Sequence, residues 1–262
     1  MVRLGNTRMN SATVSPTEIL ERAGTLLEEI AGCSGAVLYS GADTLVPGNL
    51  YVLGLNPGGN ADGPKAVTST IGQSLRAGLS DWNSYADEAF VPSGPNLLQK
   101  RIRTVFEALG ADPRRTLTTN ALFERTVGAN GLTGPHWQQW WKHCWPVHQL
   151  FLSVVRPRVI VCLGNGPDPS SYELLRLTRE SKGRPLPWNW QPLPDETSES
   201  GKLRQDVSFD LGEFGYHECM VLGLPHPSPL VHCWPLGPEA MAKVAEARVR
   251  IVGWNRIQNR NL

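Results

Sequence analysis

Two short stretches of this chain gather residues that could do chemistry. The first is Gly54-Leu55-Asn56-Pro57-Gly58-Gly59-Asn60, directly after an apolar run. A Gly-x-Asn-Pro-Gly turn after a strand projects one polar side chain, Asn56, above the strand end; the same residues also form a plain Asn-Pro-Gly turn. The second is Gly223-Leu224-Pro225-His226-Pro227-Ser228-Pro229-Leu230, in which three prolines fix the backbone around His226 and Ser228. Such stiffness suits a site that must hold a side chain in one geometry. It also suits a rigid loop with an ordinary histidine.

Other chemistries find little support. The chain has no G-x-S-x-G, no H-E-x-x-H and no G-x-x-x-x-G-K-[ST] motif. Gly164-Asn165-Gly166-Pro167 follows an apolar run but lacks the third glycine of a dinucleotide fingerprint. Cys144 and His148 are four apart, with His143 before them, yet no third and fourth ligands follow at ordinary spacing. The five cysteines (Cys33, Cys144, Cys162, Cys219, Cys233) include no C-x-x-C pair. Neither a disulfide framework nor an iron–sulfur cluster is expected. No cofactor and no metal are expected.

These stretches need elements to position them. Ser15-Pro16-Thr17-Glu18 is a capping box that opens a helix, with Ile19, Leu20, Ala23, Leu26, Leu27 and Ile30 at helical spacing before Gly32. Leu50 to Leu53, closed by Gly54, reads as a buried strand. Asn96 to Leu109 follows as a helix, then Thr116 to Phe123 as a strand. Gly134 to Val154 is a long helix that Pro146 should kink or break. Val159 to Leu163 is an apolar strand, Ser170 to Arg179 a short helix, Glu218 to Leu222 a strand and Pro238 to Ile251 the last helix. Alternating strands and helices predict an α/β fold with a mostly parallel sheet covered on both faces. Ligands of such sheets sit beyond the carboxyl ends of the strands, here after Leu53, Phe123, Leu163 and Leu222. Ser181 to Asp206, rich in Pro, Trp and polar residues, reads as an inserted loop, either functional or a disordered excursion.

The 262 residues, 40% hydrophobic and 19% charged, suffice for the core of a single domain over 1–262 and exclude a disordered chain. Lys plus Arg is 25 and Asp plus Glu 24, so a nucleic-acid partner would have to be met by locally clustered positive charge. No apolar run approaches the roughly eighteen residues that span a membrane. Met1 to Asn10 has no apolar core of a secretory signal, so a cytoplasmic location is expected.

Taken together, the strand-end G-x-N-P-G, the Asn120 that closes Thr118-Thr119-Asn120, the V-I-V-C-L-G strand and the late H-P-S-P-L resemble the uracil-DNA glycosylase superfamily in order and spacing, from about Leu50 to Leu230. The first motif looks most like the branches with asparagine at the catalytic position, and H-P-S-P-L is closest to the main uracil enzymes. The resemblance implies a three-layer α/β/α sandwich and a monomer that binds DNA. It implies hydrolysis of an N-glycosidic bond, which leaves an abasic site and needs no lysine nucleophile. Asn56 would orient the attacking water, positioning it more than deprotonating it. His226 would donate to the carbonyl oxygen of the departing base. Asn120 would read the edge of the flipped base. Ser228 and backbone N–H groups near Gly58 would grip phosphates, and Leu230 would be the apolar wedge that fills the gap in the base stack.

The strict uracil enzymes carry a tyrosine shortly after the first motif, which blocks 5-substituted bases. Gly58, Gly59, Asn60 and Ala61 offer nothing bulky here, so a 5-modified pyrimidine as well as uracil is expected to fit. The role could be base-excision repair or defence against phage DNA with modified bases. A catalytically silent module that senses altered bases is the alternative. The aromatic that would stack on the flipped base is left among Trp82, Tyr85 and Phe90. Trp137, Trp141 and Trp145 share a helix face and are expected to pack, whereas Trp188 and Trp190 in the inserted loop could meet DNA or a bulky base.

Overall fold

Capping chemistry opens the first helix. In the computed structural model, Ser15 N–H donates to Glu18 Oε2 at 2.7 Å and Glu18 N–H to Ser15 Oγ at 3.3 Å, and α1 runs Pro16–Leu26 behind this box. The structure describes residues 14–59, 69–76, 80–88, 95–126, 132, 136–166, 170–180, 204–228 and 233–258. Leu50–Gly54 forms β1, buried at every position. Ile71–Arg76 (α2) and Ser84–Asp87 (α3) are short, and α4 (Leu97–Leu109) starts on a second capping box, Asn96 with Gln99. Then come β2 (Leu117–Asn120), α5 (His136–Val155), β3 (Val159–Leu163) and α6 (Ser171–Glu180). The chain closes with β4 (Arg204–Asp210), β5 (Tyr216–Leu224) and α7 (Pro238–Gln258).

Among the described residues five strands make one sheet in the order β2-β1-β3-β5-β4, parallel except for β4 at one edge. Alternation along each strand feeds two cores. Tyr51, Leu53, Ile160, Cys162 and Val221 face one core with α1, α2, α5 and α6. Leu50, Val52, Val159, Val161, Met220 and Leu222 face the other with α4 and α7. The fold is therefore α/β with helices on both faces. Parallel pairing aligns the strand ends: Gly54 is opposite Asn120, and Leu163 opposite Leu224. The last residues of β2, β1, β3 and β5 thus share one edge.

Several expectations need correction. Pro146 does not break α5, which is helical from His136 through Val155. Cys144, Trp145, Val147 and His148 around it are buried, and this packing outweighs the lost backbone hydrogen bond. The supposed loop 181–206 ends inside a strand: Arg204, Gln205 and Asp206 open β4, whose Val207 and Phe209 turn into the core. Residues 181–203, with Trp188 and Trp190, lie outside the described residues. β2 stops at Asn120 rather than Phe123, and β5 runs two residues further each way than Glu218–Leu222. Trp141 and Trp145 pack as expected, their rings 5.4 Å apart.

Candidate functional site

Asn56 stands two residues beyond β1. Its Nδ2 donates to Thr126 Oγ1 at 2.7 Å, Glu124 O at 3.4 Å and Pro57 O at 3.2 Å. These bonds occupy the nitrogen end of the amide, and Oδ1 is left as the acceptor. Thr126 is tied to the same turn, its N–H donating to Pro57 O at 3.2 Å. Thr126 and Gly58 also form a parallel bridge. Gly58 is exposed, and a Cβ built on it would meet nothing within 4 Å.

Asn120, the last residue of β2, is 2% exposed, and its Nδ2 makes no hydrogen bond of good geometry, only a weak approach to the Tyr39 hydroxyl. An unpaired buried donor costs about 1–3 kcal/mol. Gly54 makes the position possible, because a Cβ there would lie 2.2 Å from Asn120 Oδ1. Tyr39 flanks Asn120. Burial raises the Tyr39 hydroxyl pKa, and Arg125 and the Asn120 side chain oppose the rise. Tyr39 is placed by a segment that runs against β2, with its N–H on Thr118 O at 2.8 Å. Its ring lies 5.6 Å from that of Tyr85.

His226 stands two residues beyond β5. Ser228 N–H donates to its Nδ1 at 3.2 Å, so Nδ1 is an acceptor and the ring proton sits on Nε2. Burial lowers the His226 pKa from 6.5 and keeps the ring neutral. Two residues hold this loop. Arg101 Nη1 donates to the carbonyls of Pro227 and Ser228, and Trp234 Nε1 to those of Pro225 at 3.3 Å and His226 at 3.2 Å. The Arg101 guanidinium lies over the Trp234 ring, 5.6 Å from its centroid. Beside the imidazole, Gly164 directly follows β3 with φ +146°, and a Cβ there would lie 3.8 Å from His226 Cδ2.

Asn56, Gly58, Asn120, His226 and Ser228 therefore stand on one sheet edge, as strand-end placement requires. Leu230 lies outside the described residues, as do Phe90 and Asn60. Tyr85 is a buried core residue, and Trp82 is partly buried with its carbonyl accepting Gly41 N–H at 2.8 Å. Sequence reasoning missed Tyr39, Arg125, Thr126 and Trp234, and met Arg101 only as part of a local cluster of positive charge with Arg103. Of those missed, only Trp234, close behind the proline-rich stretch, carried any signal. His148 is structural: Tyr51 Oη sits 2.8 Å from Nδ1, and Nε2 lies 2.9 Å from Ala121 O. Among the described residues no cluster of three or more His, Cys, Asp or Glu could hold a metal ion.

The groove bounded by Arg22, Leu26, Pro146, Leu150 and Phe214 lies between α1 and α5 and contains none of these groups. The chemistry, rather than the concavity, singles out the strand-end edge. No helix among the described residues is long and apolar enough to cross a membrane. The chain matches no known protein-family model and no curated protein.

Proposed function

We propose that the chain is a monofunctional DNA glycosylase of the uracil-DNA glycosylase type, excising uracil or a 5-modified pyrimidine and leaving an abasic site. One observation carries the reading. Asn120 offers a buried amide whose Nδ2 makes no well-formed hydrogen bond, only a weak approach to the Tyr39 hydroxyl, on the same edge as a neutral imidazole whose proton is on Nε2. Donors of this kind on one sheet edge suit a flat base with carbonyl acceptors, extruded from the stack.

In the proposed reaction the bond from C1′ to the base nitrogen breaks, and its electron pair leaves with the base. His226 Nε2–H donates to the base carbonyl on which the negative charge grows. A neutral donor held in place in a poorly solvated site stabilises that charge without reorganisation. Asn56 Oδ1 holds a water against the oxocarbenium-like sugar. The water oxygen bonds to C1′, and its proton passes to solvent or to the departing base, since an amide cannot take it. The Ser228 hydroxyl and the open backbone at Gly58 are assigned to flanking phosphates, and Leu230 to the vacated stack. No residue is assigned a covalent intermediate.

Strand cleavage after alkali tests the reading. The substrates are oligonucleotides with uracil, hypoxanthine, 5-hydroxymethylcytosine or its glucosylated form, together with phage DNA with modified bases. Cleavage that Asn56→Ala abolishes is the expected result. Activity on uracil fits repair, and activity on bulky pyrimidines alone fits defence. DNA binding without cleavage of any substrate would favour a silent sensor of altered bases.

A further inference from the structure

Arg125 directly precedes Thr126, the residue that holds Asn56. Its Nη1 donates to Gly58 O at 2.7 Å. A Cβ on Gly59, which adopts φ +114°, would lie 3.6 Å from that nitrogen. The guanidinium therefore lies along the exposed Gly58–Gly59 turn, where the positive φ of Gly59 favours glycine.

The Arg125 Nε is buried and without a hydrogen-bond partner. Among the described residues no carboxylate pairs with its guanidinium, as is also so for Arg103, which bonds the carbonyls of Tyr85 and Ala86. With Nη1 on a backbone carbonyl and Nε buried, Nη2 is the nitrogen left for an outside acceptor, and a charged N–H there suits a phosphate oxygen. The chain as a whole carries a net charge of +1, so an unpaired cation at the site is where attraction for a polyanion must concentrate.

We infer that Arg125 is an anion-binding residue, and that its ligand is a backbone phosphodiester of the substrate strand, gripped beside the Asn56 turn. The identity of the ligand rests on the glycosylase reading; the anion site does not. Binding there places the sugar next to the water held by Asn56. The Gly58 carbonyl fixes the guanidinium beforehand, so little freedom is lost on binding.

The test uses the full chain and a fluorescent oligonucleotide with a tetrahydrofuran abasic-site analogue, which is independent of the base excised. Affinity is measured against salt concentration. Arg125→Gln is expected to bind about tenfold more weakly, with a salt slope reduced by about one, and Arg125→Lys to restore the slope. An unchanged slope in a folded Arg125→Gln protein overturns the inference. A second measurement needs only the unaltered protein: neutral methylphosphonates at the phosphates flanking the analogue. They should cost the unaltered protein about what Arg125→Gln costs and add nothing to that variant; no loss on the unaltered protein also overturns the inference. If the unaltered protein binds no DNA, the glycosylase reading falls, and inorganic phosphate decides the anion site. A phosphate-dependent rise in Tm that Arg125→Gln abolishes supports that site, and equal Tm shifts in both proteins overturn it.

Discussion

The backbone N–H of Ser228 donates to Nδ1 of His226 at 3.2 Å. This contact decides which end of the imidazole faces outward as a donor. Nδ1 can accept only while it is unprotonated, so the ring proton belongs to Nε2. Pro225, Pro227, Arg101 and Trp234 hold the loop in which the contact forms. The stiff proline backbone and the tautomer thus form one device.

The rate of base release should therefore follow the neutral form of His226. Burial lowers its pKa from 6.5. Protonation would break the Ser228 contact, so activity should be level from neutral pH down through 6.5 and fall only under more acid conditions. Its contribution to stability has the same sign, complete above 6.5 and lost as pH falls through the lowered value. Removing the donor with His226→Ala should lower kcat about 10²–10³-fold. A single-turnover pH profile checks the first claim; an inflection above 6.5 due to His226 would count against it.

Gly54→Ala should disable base recognition without unfolding the sheet. The added methyl would lie 2.2 Å from Asn120 Oδ1, and that side chain must turn away. A loss of about 10²-fold in kcat/KM, or roughly 2.7 kcal/mol, is expected. Steady-state kinetics with a Tm control would show it; unaltered kinetics would remove Asn120 from base recognition.

Thr126→Val keeps the shape and removes the 2.7 Å acceptor from Asn56 Nδ2. The freed amide should rotate, lowering kcat about 10–100-fold with KM little changed, because the residue positions water rather than substrate. Thr126→Ser should recover most of the rate. An equal loss in Thr126→Ser and Thr126→Val would point to packing instead.

His148 should make the protein acid-sensitive. It is buried against Tyr51, Phe123, Trp141 and Trp145, and burial lowers its pKa from 6.5 to about 4. The folded state binds fewer protons than the unfolded chain in that window, so stability is complete above 6.5 and falls as pH drops towards 4. The loss is roughly 3 kcal/mol. Urea unfolding at a series of pH values should show it, reduced in His148→Gln; a His148→Gln protein with the same pH dependence would assign it elsewhere.

The fold was largely legible because β1, β3 and β5 are apolar runs with turn residues behind them, and because capping residues mark α1 and α4. The edge strand β4 was hidden: its outward residues are polar, and it follows a long polar stretch, so Val207 and Phe209 alone carried the alternation. In the site, Asn56, Asn120 and His226 were legible since each ends or follows a strand. Tyr39, Arg101 and Arg125 were not. They reach the site through long-range contacts, Tyr39 along β2, Arg101 to Ser228 and Arg125 to Gly58, and no local spacing encodes such meetings.

The central claim is that this edge breaks a glycosidic bond. Its most direct measurement is mass spectrometry of an oligonucleotide reaction run in H₂¹⁸O, recording both free base and abasic strand. The account predicts released base and one ¹⁸O at C1′ of the abasic site, with both lost in Asn56→Ala. Tight binding of the same oligonucleotides with no free base from any of them would contradict it.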